Sequence, residues 1–90
     1  MAVHWVNYDL NKRGQNYTEL IDYLKSHRGW ARPVRNSYFV DTAMSASELR
    51  NEIKQRVDSN DVVMVVDVSG ADWATLSVSK VVTEWLREHL

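Results

Sequence analysis

Asp9 stands at the end of the alternating run AVHWVNYDL, directly ahead of Leu10 and the basic stretch Asn11, Lys12, Arg13, Gly14. A carboxylate delivered by a strand to the mouth of such a loop has two chemistries open to it. It can accept backbone N–H bonds in a turn with Asn11, the asx arrangement. It can also ligate magnesium, which takes six oxygens but commonly only one or two protein carboxylates, with waters and substrate phosphate completing the shell. In that case the cation would polarise a phosphoryl oxygen and lower the pKa of a bound water. Asn11 and Ser37 would hold that water or a phosphate oxygen, and Lys12, Arg13 or Arg35 would pair with the charge of a nucleic-acid backbone. Asn7 lies on the same strand face as Asp9 and can line a polar pocket or a hydrated interface with it. No histidine or glutamate presents itself as a general base: His4, His27 and His89 are far apart and show no ligand spacing.

The remaining candidates have competing uses. Asp41 ends a strand and Asp61 starts one, whereas Asp67 interrupts a run of valines, where a carboxylate needs a partner or water. The alternation puts Asp67 on the face of Val63 and Val65. If its strand neighbours the first one, Asp67 is expected to approach Asn7 or Asp9, with a metal relieving the repulsion. Trp30, between Arg28 and Arg32, is the one tryptophan placed for base stacking beside positive charge, or else it covers the end of the first helix. Trp5 and Trp85 belong to apolar patterns and are expected in the core or an interface. His4, inside an apolar strand, is expected to be hydrogen-bonded and partly buried.

These residues must be positioned by a single small domain. Ninety residues, 44% apolar and 26% charged, make a globular chain with one modest core. A domain of this size gains from burying further surface, so a homodimer is expected. The absence of cysteine rules out disulfides, thiolate zinc and a cysteine nucleophile. No run approaches the roughly 20 apolar residues of a membrane helix, and the N-terminus lacks signal-peptide organisation. A cytoplasmic location and no membrane partner are therefore expected. The net charge of −1 divides unevenly, +3 over residues 1 to 40 and −4 over the rest, so any attraction to nucleic acid would be local.

The elements follow from periodicity. Ala2 to Leu10 alternates as a strand, with Val3, Trp5, Asn7 and Asp9 on one side. Asn16 and Glu19 have capping-box spacing, and Tyr17, Leu20, Ile21 and Leu24 make a helical stripe that His27-Arg28-Gly29 closes, glycine taking the left-handed position. Pro33 confines Trp30 to Val34 to an edge or an irregular extended segment, Arg35-Asn36 makes a tight turn, and Ser37 to Asp41 a strand. Ser45 and Glu48 form a second capping box ahead of Leu49, Ile53 and Val57, whose helix ends near Asp58-Ser59-Asn60. DVVMVVDV is a strand apolar on both faces, and the first two helices cover only one, so a further element must cover Val63 and Val65. Val78, Val81, Val82, Trp85 and Leu86 predict a third amphipathic helix. The order predicts an α+β fold: a ferredoxin-like βαββαβ sandwich with an antiparallel sheet and an additional C-terminal helix. A flavodoxin-like parallel sheet would want a glycine-rich phosphate turn, and the chain has only Gly14, Gly29 and Gly70.

The strand ending YDL, the loop N-K-x-G-Q-x-Y, the pair S-Y-F-V-x-T and S-A-x-E-L-R, the segment SNDVVMVVDVSG and the ending W-L-x-E-H-L resemble the small bacterial SinR-like family over nearly the whole chain. That family is in turn distantly similar to the Cas-two proteins of CRISPR spacer acquisition and to the VapD-like endoribonucleases, here through Tyr8-Asp9, the hydrophobic pattern and the element order. The resemblance implies a homodimer in which equivalent aspartates, Asp9 in this chain, face each other across the two-fold axis as metal ligands. Ser37 resembles a serine lying near that aspartate. Where the Cas-two proteins continue into a further strand that completes the partner's sheet, this sequence turns helical. The implied function is a magnesium-dependent endoribonuclease or other nucleic-acid-acting protein. The alternative is a non-catalytic dimeric scaffold or adaptor, favoured by the acidic second half as the basic loop favours the nuclease.

Overall fold

The alternation of the first strand becomes the axis of the sheet. A computed structural model describes residues 2–10 and 17–90. Strand β1 (Ala2–Asp9) is followed by α1 (Thr18–Lys25), the short β2 (Gly29–Ala31), β3 (Ser37–Thr42), α2 (Ala46–Lys54), β4 (Val62–Asp67) and α3 (Lys80–His89). The described residues form an α+β fold of three helices and one open four-stranded sheet, ordered β2-β3-β1-β4 with every neighbouring pair antiparallel. The parallel alternative is thereby excluded. Each strand pair joined through a helix, β1 with β2 and β3 with β4, is separated by one strand belonging to the other pair.

Period-2 side chains divide the sheet into two faces. His4, Val6 and Tyr8 of β1 join Tyr38 and Val40 of β3 on the inner face, against Leu20 and Leu24 of α1 and Leu49 and Ile53 of α2. On the outer face, Trp5 stacks on Phe39 with ring centroids 6.2 Å apart, Phe39 on Trp85 at 6.3 Å, and Trp85 on His89 at 4.0 Å. There α3 buries Val82 and Leu86 against Ala31. The segment between β4 and α3 turns onto this face after Val68 N donates to Val3 O at 2.9 Å, with Gly70 at φ 72°. No helix among the described residues is long and apolar enough to cross a membrane.

The ends of elements depart from the local sequence pattern. Tyr17, with no side-chain cap bond, is the N-cap of α1; the Asn16 half of the expected capping box lies outside the described residues. The helix closes at Ser26 rather than at Gly29. Gly29 is not left-handed but opens β2, where a Cβ would meet His89 Cε1 at 3.1 Å and Asp41 Cβ at 3.4 Å. Its missing side chain therefore serves close packing of α3 and not a helix cap. The Ser45–Glu48 box forms as expected, Glu48 N donating to Ser45 Oγ at 3.1 Å and Ser45 N to Glu48 Oε1 at 3.0 Å. Those hydrogen bonds hold the Glu48 carboxyl below its ordinary range. α2 stops at Lys54, short of the expected Asp58; Arg56 turns back to donate to Glu52 O at 2.6 Å and lies 4.0 Å over the Tyr23 ring.

The covering of β4 is the reverse of the expectation. Its antiparallel register sets Val63 opposite Tyr8 and Val65 opposite Val6, so both pack on the core beneath α1 and α2. It is Val62, Met64 and Val66, at 61%, 56% and 38% exposure, that no element covers.

Candidate functional site

The end of β1 and the start of β3 meet at one end of the sheet. There Asn7 pairs directly with Ser37, and Asp9 with Val62. The turn ahead of β3 is closed by Ser37 N donating to Val34 O, and Tyr8 N donates to Asn36 O at 3.1 Å, tying that turn to β1. Arg32 braces it from behind, its Nη2 donating to Arg35 O at 2.6 Å. These bonds set Asp9, Asn7, Asn36 and Ser37 around one outer-face cleft of about 380 Å³, walled by Val34, Val62 and Met64.

The cleft is polar at its floor and apolar at its sides. Ser37 is 1% exposed, yet its hydroxyl has no hydrogen-bond partner, and neither has the buried amide nitrogen of Asn7. Asp9 is exposed at the rim, with no hydrogen bond or ion pair to its carboxylate among the described residues. Arg35 occupies the turn between the lining residues Val34 and Asn36 and is itself exposed. Tyr8 also borders the cleft, but its ring lies on the inner face stacked on Tyr38 at 6.5 Å. Burial pushes its phenol above the ordinary value, against the opposing pull of Arg32, so it stays a protonated donor at neutral pH.

No family model, curated protein or solved structure matches the chain. The site is therefore defined by its own geometry. Of the residues singled out in the sequence, Asp9, Ser37 and Arg35 are gathered at one end of the sheet, with Asn7 between them. Asn11, Lys12 and Arg13 lie outside the described residues. Asp67 is not part of the cluster. β4 runs antiparallel to β1, which sets Asp67 opposite His4, on the inner face and at the far end from Asp9. Its carboxyl is held below the ordinary range by the Ser69 backbone N–H, 2.9 Å from Oδ1.

The aromatic candidates also separate. Trp30 lies on the inner-face side, its ring 5.9 Å from that of Tyr38 and 5.1 Å from Lys25 Nζ, so it covers the end of α1. Trp5 belongs to the outer aromatic row and remains 37% exposed. His4 is fully buried and donates Nε2–H to Met44 O at 2.7 Å, leaving Nδ1 unpartnered. Among the described residues no group of three His, Cys, Asp or Glu side chains is arranged to hold a metal.

Sequence reading missed the apolar walls of the cleft and the pairing of Asp41 with His89. Asp41 Oδ2 accepts from His89 Nδ1 at 2.9 Å, 48 positions away, and fastens α3 to the sheet. No local signal carries that pair. The walls were recoverable in principle, because Val62 and Met64 take the outer parity once β4 is paired to β1.

Proposed function

We propose that the protein is a nucleic-acid-acting homodimer with a ferredoxin-like fold, similar in kind to the Cas-two and VapD-like proteins, in which Asp9 is a magnesium ligand and the reaction is phosphodiester hydrolysis in RNA. The split strand pairs and the antiparallel order β4-β1-β3-β2 support the fold reading. The observation that carries the functional one is the exposed Asp9 carboxylate, unengaged among the described residues, on the rim of a cleft floored by unpartnered polar groups.

The donor set suits a hard cation in part. One exposed carboxylate per chain is within the one or two that magnesium commonly takes from protein, provided substrate phosphate and waters complete the shell. A bound cation would supply Lewis-acid polarisation of the scissile phosphate and an activated water. The chain's own residues do the remaining work. Asp9 anchors the cation, Arg35 with Lys12, Arg13 and Asn11 pairs with backbone phosphate, and Asn7 and Ser37 offer uncharged donors and acceptors to the strand. The uncovered row of Val62, Met64 and Val66, continued by Trp5 opposite Val66, supports the homodimer, since a second copy on that face removes it from water. A cysteine-free chain suits a reducing cytoplasm.

Incubation of the purified protein with labelled RNA and DNA, with magnesium or with chelator, tests the reading. Cleavage that needs magnesium and disappears in Asp9→Ala is the expected result; identical traces in every condition remove catalysis. A non-catalytic dimeric scaffold is the second reading, favoured by the same apolar row, and it is selected if the dimer persists while neither cleavage nor binding occurs.

A further inference from the structure

We infer that the cleft beside Asp9 accepts one unstacked nucleobase, its polar edge contacted by the Asn7 amide and the Ser37 hydroxyl and its faces flanked by Val34, Val62 and Met64. The inference rests on the nucleic-acid reading above and adds to it the form of the substrate: an unpaired strand, recognised through a base as well as through phosphate.

Four observations lead there. First, the hydroxyl of a serine buried to 1% exposure and the amide nitrogen of Asn7 have no partners, and buried polar groups left unpaired destabilise the fold that contains them. Both border the same cleft. Second, the two are a direct cross-strand pair, which sets their Cα atoms about 5 Å apart. An amide with both donor and acceptor atoms beside a rotatable hydroxyl matches the adjacent donors and acceptors along the edge of a base. Third, the walls are apolar and open, Val34, Val62 and Met64 being 57%, 61% and 56% exposed. Aliphatic side chains and a polarisable thioether suit the faces of an aromatic ring. Fourth, about 380 Å³ lies at the small end of ligand pockets, enough for a ring system but not for a duplex segment.

Other occupants fit less well. Phosphate would find no cation on the floor and the Asp9 carboxylate at the rim. An apolar side chain from a second copy would leave both polar groups unpaired. A base in a duplex has its pairing edge engaged and its faces stacked, so only an unpaired one can enter.

Fluorescence anisotropy with the full chain tests the inference, using three labelled RNA probes of equal length: a single strand, its abasic counterpart and a blunt duplex. The expected result is single-strand binding at least tenfold tighter than binding of either other probe. Ser37→Ala and Asn7→Leu should each shrink that advantage by about fivefold and leave the salt dependence unchanged, because phosphate contacts set the salt slope. Ser37→Ala removes one unpartnered oxygen and should melt no lower than wild type, so it carries the test if Asn7→Leu fails to fold. Equal binding of the abasic and base-bearing strands overturns the inference and leaves the nucleic-acid reading standing. A single-strand preference unaltered in a folded Ser37→Ala also overturns it. Failure to bind any of the three probes at low salt removes the proposed function, and the base cleft with it.

Discussion

The two faces of the sheet are built from the same four strands and solve opposite problems. The inner face is closed: Leu20, Leu24, Leu49 and Ile53 are wholly buried against Val6, Tyr38 and Val40. The outer face is closed only over β2 and β3, where α3 packs, and lies open over β4 and the adjoining end of β1. Unpaired polar groups occur on both faces, but with different surroundings. On the inner face the Nδ1 of His4 and the hydroxyl of Tyr38 are enclosed by core. On the outer face Asn7 and Ser37 border a cleft that a ligand can enter. Stability is concentrated on one side of the sheet, and surface available for recognition on the other.

Substitutions that separate the faces test that division. The largest effect belongs to the inner face: Leu49→Ala should cost about 2–5 kcal/mol through lost transfer energy and the cavity left behind, measured by urea denaturation. For a domain of ordinary stability, about 5–15 kcal/mol, that is a large share, and a small loss would mean that the inner core is not the dominant one. Next comes the seam between α3 and the sheet. Gly29→Ala drives a methyl toward His89 and Trp85 and should cost about 1–3 kcal/mol by overpacking. Amide exchange should accelerate in α3 ahead of α1 and α2; uniform acceleration would show that α3 does not open separately.

The third prediction concerns pH. Burial, with Arg56 adding to it, holds His27 below its ordinary value of 6.5. The unfolded chain therefore takes up this proton at higher pH than the folded one, and protonation favours unfolding as pH falls. The contribution is intact above pH 6.5 and is lost as pH drops below it toward the folded value. His27→Gln should accordingly lose less melting temperature than wild type between pH 7.5 and 5.5, and parallel curves would refute the assignment. The smallest effect on stability belongs to the open face. Met64→Thr should change unfolding free energy by less than about 0.5 kcal/mol in dilute protein, while weakening self-association in sedimentation. A loss comparable to that of Leu49→Ala would mean that the two faces are equally structural.

What was legible in the sequence was local. The alternation of Ala2 to Asp9, the Ser45–Glu48 box and the stripe of Val82 and Leu86 each depend on residues within a turn or two, and each appears in the structure. Helix ends were harder, because Gly29 looks like a cap but is kept small by His89, Asp41 and Trp85 arriving from elsewhere. The side of β4 left bare could not be read from VVMVV, which is apolar on both parities; only its register to β1 decides it. Strand direction decided Asp67 in the same way, carrying it away from Asp9. The gathering of Asp9, Ser37 and Arg35 was anticipated through family resemblance, whereas Asn36 and the apolar walls became visible only when β3 and β4 took their places beside β1.

The bare edge of β4 is also a question of solubility. A strand of five apolar residues with one unpaired edge is a template for continued sheet growth between molecules. Here it is bracketed by Asp61 and Asp67. If two copies paired edge to edge in antiparallel fashion about Met64, Asp61 of each would fall opposite Asp67 of the other, setting like charges together at both ends of the ladder. A parallel in-register stack would align each carboxylate with its own copy. The two aspartates thus act as gatekeepers against polymerisation, leaving the broad face, rather than the edge, as the surface through which these molecules can meet without forming a fibre.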